Sequence, residues 1–392
     1  MNAVVNEDSR VADIARMHEC IAAMVPRLEE RAPRTRAERR VPDETFAELR
    51  EAGFFRLFQP LRYGGLEADP REFFRAQAAL AEGCMSSAWA GGIVSVHAFQ
   101  LALFDDRAQQ EVWSSANDLI SSSYAPMGKV TVAQGGFRLS GRWGWSSGSG
   151  HCDWVFLGAI VPNDGYRTFL LPASDYRIED TWQAMGLQGT GSNDIVVEDM
   201  FVPEYRTHRQ MDGFRLDNPG NRVNTAPLYR IPWGQLFART VSNPAIGASR
   251  AALRLFIAGC QNRSSNDPTK LAGDTHTQEI IARAELGIAE IDALLFRALG
   301  DMVDCVEAGR EIPMASRVRY RYEASRIVDK AVAIVGELFA NAGGRSVFLG
   351  SPIQQRFLDV NTARAHVANN PVPFSRNLGA VQLGMDSTDV FV

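Results

Sequence analysis

The chain has 392 residues, 45% of them apolar and 22% charged, with a formal net charge of −5. That length supplies enough core for two or three domains, and the composition is that of a globular protein, neither disordered nor fibrous. No run of like charges points to nucleic acid or a membrane surface, and no apolar run approaches the ~18 residues of a membrane span.

The first residues, "MNAVVNEDSRVADIARMHEC", carry acids where a signal peptide needs a basic start and an apolar block, so a cytoplasmic location is expected. Five cysteines, Cys20, Cys84, Cys152, Cys260 and Cys305, are scattered without CxxC spacing, which argues against a disulfide framework or a zinc site.

Residues 10 to about 115 read as helical. In "VPDETFAELREAGFF", Asp43 is a candidate N-cap, with Phe46, Leu49 and Phe54 on one face. A Pro/Gly-rich loop, "LFQPLRYGGLEADP", precedes the helical runs "REFFRAQAALAEGC" and "SAWAGGIVSVHAFQLALF".

From 118 to 207 the period changes to two. "KVTVAQGGFRLSGRW" predicts a hairpin turning at Gly135–Gly136, and "WVFLGAIV", "RTFLLPA" and "DIVVEDMFVP" predict further strands.

Beyond about 244 the helical period returns. Ile281, Ala284, Ile288, Ile291, Leu295, Ala298, Met302 and Cys305 alternate spacings of three and four, the seam of a helix packed along its length. A second long helix over 315–342, joined through "EAGREIPM", predicts a four-helix bundle. The tail from Pro352 starts helical and then loosens. The fold class is therefore α+β: an N-terminal α-helical domain (1–117), a middle antiparallel β-domain (118–215) and a C-terminal four-helix bundle (216–392).

The six histidines show no metal-ligand spacing, so no metal is expected. "GWSSG" has the letters of a nucleophile elbow, but strand-type sequence on both sides excludes the strand–turn–helix that a hydrolase needs. "GLQGTGS" precedes a strand instead of opening a helix, which excludes a dinucleotide fingerprint. "WGWSSGSGHCDW" is either a hairpin with aromatic cross-strand pairs or the edge against which a flat cofactor lies, its rim bonded by serine hydroxyls. His97 reads equally as a core residue bonded to a carbonyl, and His366 as a cation near a helix end.

The order of the three parts, with "GGFRLSGRWGWSSG", "MGLQGTGSNDIVVEDMFVP" and "AGGRSVFLGSPIQQRFLDV", resembles the acyl-CoA dehydrogenase superfamily of flavoproteins over essentially the whole chain. Where many acyl-CoA dehydrogenases carry a glutamate base after the last helix, this chain has "RAHVANN", with no acid from His366 to Asn370. The strings "HAFQLALFDDRAQQEVW", "SSSYAPMG", "NTAPLYRIPWG" and "ARAHVANN" are similar to the oxygenase components of two-component flavin monooxygenases, whose relatives hydroxylate p-hydroxyphenylacetate or a phenolic secosteroid.

That resemblance implies reduced flavin (FMNH2 or FADH2) delivered by a separate flavin reductase, O2 as co-substrate, and ortho hydroxylation of a phenol through C4a-hydroperoxyflavin. It implies Ser147 at flavin N5, Trp145 and Ser146 along the ring, Ser122 at the flavin or substrate edge, and Arg263 on the flavin phosphate. Trp89 and His97 are then expected to wall the substrate pocket, with His97 contacting the phenol and His366 as its base. A homotetramer is implied as well. An acyl-thioester dehydrogenase, or a monooxygenase acting on an indole or polycyclic aromatic, is the alternative.

Overall fold

Helix α1 (Glu7–Ala37) opens the described chain, which is a computed structural model covering residues 7–115, 118–262 and 273–392. Met17, Ile21, Met24 and Leu28 bury one stripe of it at spacings of three and four. Helix α2 (Asp43–Glu51) buries Phe46 and Leu49 as expected, but Asp43 does not cap it. Pro42 takes the cap position, and the Asp43 carboxylate turns back to Arg40 at 2.6 Å. Helix α3 (Pro70–Gly83) is capped by Asp69, whose carboxylate accepts from Arg71 N at 2.7 Å.

Helix α4 (Met85–Leu101) is buried nearly all round, and α5 (Asp106–Trp113) follows it. Gly92 lets α4 lie against α3, since a Cβ there would sit 2.0 Å from Gln77 Nε2.

The strands are β1 (Ile120–Ala133), β2 (Gly136–Ser146), β3 (Trp154–Val161), β4 (Gly165–Pro172), β5 (Arg177–Glu179), β6 (Asn193–Pro203) and β7 (Thr207–Arg209). They form one seven-stranded sheet in the order β5-β6-β2-β1-β3-β4-β7. The sheet is mixed and not purely antiparallel, because β1 and β3 run parallel. Period-two alternation reports which face is buried and carries no information on strand direction. The β2–β3 loop passes the start of β1, where Asp153 N and Trp154 N both donate to Leu119 O, and delivers β3 to the far side of β1.

Ala133 pairs with Gly136, so the hairpin turns at Gln134–Gly135, one residue earlier than expected. Gly135 supplies the left-handed φ of +77°. Val155, Leu157, Ala159, Phe169, Leu171 and Ile195 build the sheet's own core around Trp143. The other face of β3 packs Trp154 and Phe156 against Leu101, Phe104 and Val112.

After α6 (Gln210–Arg215) and α7 (Trp233–Thr240), helices α8 (Pro244–Asn262), α9 (Thr275–Glu307), α10 (Met314–Asn341) and α11 (Pro352–Arg364) pack together as the expected bundle. The seam on α9 is wider than the heptad reading, taking in Ile280, Leu299, Val303 and Val306, while Ile281 is only half-buried. The tail does not simply loosen. Asn370 caps a further helix, α12 (Pro371–Gln382), with Pro371 at its first position. Helices before and after the sheet share one buried cluster, running from Met17 to Ala368.

Candidate active site

A cavity of 760 Å³ lies where the sheet meets α4, α7, α10 and the C-terminal residues. Five of the expected residues line it together: Trp89, Ser122, Trp145, Ser147 and His366. His97 and Ser146 are fully buried and do not line it, and Arg263 lies outside the described residues.

Strand β2 aims its end at the cavity through a bulge. Trp143 pairs with Ile195 and Ser146 with Asn193, so Gly144 and Trp145 together oppose Asp194 alone. The extra residue puts Trp145 at φ +66°, a left-handed conformation that costs a non-glycine residue roughly 1 kcal/mol or more. Its indole is 68% exposed at the cavity wall. The other two tryptophans of "WGWSSGSGHCDW" are structural. Trp143 donates to Gly158 O at 2.8 Å inside the sheet core, and Trp154 donates to Asp118 at 2.9 Å. His151 stacks on Phe46 at 3.8 Å, away from the cavity.

Ser147 ends a chain of hydroxyls that the sequence reading did not foresee. Thr190 Oγ1 lies 2.9 Å from Leu187 O and 2.7 Å from Ser192 Oγ, which lies 2.8 Å from Ser147 Oγ. Trp89 Nε1 donates to Ser147 at 3.2 Å. A carbonyl only accepts and an indole N–H only donates. One assignment therefore satisfies every contact: Trp89 to Ser147, Ser147 to Ser192, Ser192 to Thr190, Thr190 to Leu187 O. Ser147 has spent its only proton, and what remains for the cavity is a lone pair. The turn is anchored from the bundle by Asp359, whose Oδ1 accepts from Leu187 N at 2.6 Å. Burial raises the Asp359 carboxyl above the usual range. "GLQGTGS" was visible as a turn, but its contact with β2 is set by the sheet register.

The two histidines can be assigned by the same accounting. His97 Nδ1 lies 2.6 Å from Ile120 O, so it carries the proton and leaves a lone pair on Nε2, which has no partner among the described residues. His366 is the reverse. Ala368 N donates to its Nδ1 at 3.1 Å, so the neutral ring carries its proton on Nε2. Burial pushes both down to about 4, with Arg321 adding to the effect on His366, so both are neutral near pH 7. His366 is partly open to the cavity, with its ring 5.8 Å from Trp89 and 6.1 Å from Phe237. In this geometry it offers a donor, and a base role requires it to release Ala368 N.

On α4 the lining residues Trp89, Ile93 and Gln100 form one stripe. His97 sits about 80° round from Trp89 at 100° per residue. It packs against Tyr124 at 6.1 Å and Trp233 at 6.3 Å, both of which line the cavity. Trp182, Trp233 and the last residues, Asp389 to Val392, are lining residues that the sequence reading missed. Trp233 Nε1 is buried with no partner among the described residues.

The acyl-CoA dehydrogenase N-terminal domain pattern matches residues 16–116, and the C-terminal domain pattern matches 239–371. The chain is 38% identical to the flavin-dependent monooxygenase oxygenase subunit HsaA of Rhodococcus jostii (strain RHA1), over 94% of this chain and 99% of that one. The chain belongs to the flavin-dependent monooxygenase oxygenase subunits, within the acyl-CoA dehydrogenase family. The crystal structure of 3-HSA hydroxylase from Rhodococcus sp. RHA1 superposes on this oxygenase with a TM-score of 0.93 at 37% identity, covering 96% of this chain and 99% of that one. An FADH2-dependent resorcinol hydroxylase oxygenase component from Rhizobium sp. (strain MTP-10005) is 30% identical to it over 93% of each chain.

The oxygenase's cavity suits a flavin on its own chemistry. It is wide, walled by tryptophans, and offers at Ser147 an acceptor of the kind that the N–H of a reduced flavin ring needs. Among the described residues, no group of three or more His, Cys, Asp or Glu could hold a metal ion, and no helix of the oxygenase is long and apolar enough to cross a membrane.

Proposed function

We propose that the oxygenase hydroxylates a phenolic ring ortho to its hydroxyl, using reduced flavin that a separate reductase delivers. The observation that carries this reading is the fixed polarity at Ser147. Its free lone pair matches the N5–H of a reduced flavin and has nothing to give the bare N5 of an oxidised one. Reduced flavin, once bound, activates O2 and supplies one oxygen atom to the ring, the other leaving as water.

The chain's own residues do the rest. Ser147 holds the proton on N5, and Trp145 and Ser122 border the ring. The apolar walls exclude water that would divert the oxygen into H2O2. The phenolic hydroxyl seats against Tyr124 and Trp233, and the His97 lone pair, buried behind these two rings, acts on it once they part to admit it, making the ring electron-rich by taking or sharing the proton. His366 faces the same space from beside Trp89 with a proton on Nε2, so it donates to an oxygen acceptor there. This moves the base role expected of His366 to His97 and leaves His366 a donor. Ser146, buried beside Ser147 without a partner among the described residues, packs behind the ring edge.

A homo-oligomer, a tetramer by resemblance, is supported by Phe348 and Leu349, which are 68% and 95% exposed between α10 and α11. FADH2 is the first flavin to try, given the name of the resorcinol hydroxylase. Aerating the protein with reduced FAD or FMN against phenols, indoles and polycyclic aromatics tests the reading. Phenols are expected to give catechols with little H2O2. Oxidation of acyl thioesters, with no phenol consumed, contradicts it.

A further inference from the structure

One part of the cavity wall has no task in this reaction. Arg321, on α10, and Asp389, in the C-terminal segment, are the only Arg, Lys, Asp or Glu among the described lining residues. The Arg321 side chain is 3% exposed. Its Nη1 donates to Ala368 O at 3.0 Å, its guanidinium lies 3.5 Å over the Phe374 ring, and its Nε has no hydrogen-bond partner among the described residues. Burial lowers it only to about 10, so it stays charged near pH 7.

Asp389 is held just as firmly. Its Oδ1 accepts from Phe391 N at 2.9 Å. The segment before it is pinned to α12 by Asn377, which bonds Ser387 at 3.0 Å and Thr388 N at 2.9 Å. Oδ2 of Asp389 is buried without a partner among the described residues.

The two idle atoms, Arg321 Nε and Asp389 Oδ2, stand 4.0 Å apart. That is too far for a hydrogen bond, yet a purely structural ion pair in an apolar cavity gains most by closing to contact. A group that both accepts and donates matches the two atoms chemically. Bonds of about 2.9 and 2.7 Å from a single hydroxyl oxygen span such a gap at an angle of roughly 90°.

We propose that Arg321 and Asp389 form a binding subsite for a neutral hydroxyl group carried by the aromatic substrate, which accepts from Arg321 Nε–H and donates to Asp389 Oδ2. The proposal rests on the aromatic-hydroxylase reading. It narrows the substrate class to phenols bearing a second hydroxyl, phenolic or alcoholic. A ketone satisfies Arg321 and leaves Asp389 bare. A carboxylate accepts from Arg321 but sets an anion against Asp389, so the subsite selects against aryl acids. A ribityl hydroxyl of the flavin has the same chemistry, and the test separates the two sources.

The test is equilibrium binding to the full chain, purified without flavin, of two matched series: 4-hydroxyphenyl alkanols and 4-hydroxyphenyl alkanoates with spacers of one, two and three carbons. The wild type is expected to bind the alcohol at least about tenfold tighter than the matching acid at the best spacer, one hydrogen-bonded pair against one repulsion. Asp389→Asn keeps the Phe391 contact and removes the charge, so it should bring that ratio to within about threefold, mainly by a gain for the acid. Asp389→Ala, with no polar group at all, should weaken the alcohol. A ratio unchanged in Asp389→Asn, a wild type that prefers the acid, or binding of neither series overturns the proposal. So does a shift in reduced-flavin affinity in Asp389→Asn with the alcohol-to-acid ratio unmoved, since that outcome gives the subsite to the flavin. Because the readout is binding, it stands apart from whether any of the compounds is hydroxylated.

Discussion

Ser147 and Ser192 meet at 2.8 Å, and the direction of that hydrogen bond is fixed from the far end of the chain, where the Leu187 carbonyl takes the Thr190 proton, while the Trp89 indole fills one of the two Ser147 lone pairs. The hydroxyl facing the cavity is thereby an acceptor. Removing the next link, Ser192→Ala, frees the Ser147 proton to point at the flavin. Oxidised flavin should then gain a hydrogen bond and bind about threefold to tenfold tighter relative to reduced flavin. Anaerobic titration of both redox forms against wild type and variant measures the ratio, and an unmoved ratio removes the relay from the account.

The two histidines are separated by amide mimics. Asn places an N–H near the Nδ1 position, so His97→Asn keeps the bond to Ile120 O and deletes the lone pair on Nε2. Hydroxylation should fall by ~10²–10⁴-fold. Gln places an N–H near Nε2, so His366→Gln should keep hydroxylation within about tenfold, whereas His366→Ala should not. Single-turnover product yield is the measure. If His366→Gln fails as badly as His366→Ala while His97→Asn is mild, His366 is the base after all.

Trp145 should show opposite effects on stability and on binding. Its φ of +66° is strained and its ring is mostly exposed, so Trp145→Gly relieves strain while losing little burial. The melting temperature should rise by about 1–2 °C. Reduced-flavin affinity should drop at the same time. Lower stability with unchanged affinity would make the indole a packing residue instead.

Buried histidines also make the fold's stability depend on pH. His97, His151, His208 and His366 are each pushed down to about 4, with burial the largest cause. Unfolded histidine titrates near roughly 6.5, so between these values the unfolded chain binds more protons. Stability from these groups is fully present above about pH 7 and is lost as pH falls from about 6.5 toward 4. The combined loss is on the order of several kcal/mol. His208→Gln keeps a donor for Asn218 Oδ1, to which Nε2 stands at 2.9 Å, and should flatten the fall in melting temperature over that window. An equally steep fall in the variant counts against His208 as a contributor.

Much of the fold was legible because its signals are local. The seam on α9 and the stripe on α1 are periodicities, and the hairpin needed only a glycine turn. What escaped is set by pairing between distant segments. The parallel β1–β3 contact depends on where the loop after β2 lands. Asp43 has the letters of a cap, but an extended Pro42 took the position and Arg40 took the carboxylate. At the site, Trp89, Ser122, Trp145, Ser147 and His366 come together around one cavity. Ser192 and Thr190 looked like ordinary turn residues because only the register of β6 on β2 brings them to Ser147. The distinction between the histidines is invisible in sequence, because it lies in two backbone groups, Ile120 O and Ala368 N.

Oxygen insertion into a phenol by this reduced-flavin oxygenase is tested with labelled oxygen. The protein is loaded anaerobically with FADH2 or FMNH2 and a phenol, then exposed to ¹⁸O2, and the product is read by mass spectrometry. One ¹⁸O atom is expected in the ring, ortho to the original hydroxyl, with H2O2 as a minor product. Flavin oxidation that yields only labelled H2O2 across the phenol panel, or a ring oxygen drawn from water, would contradict it.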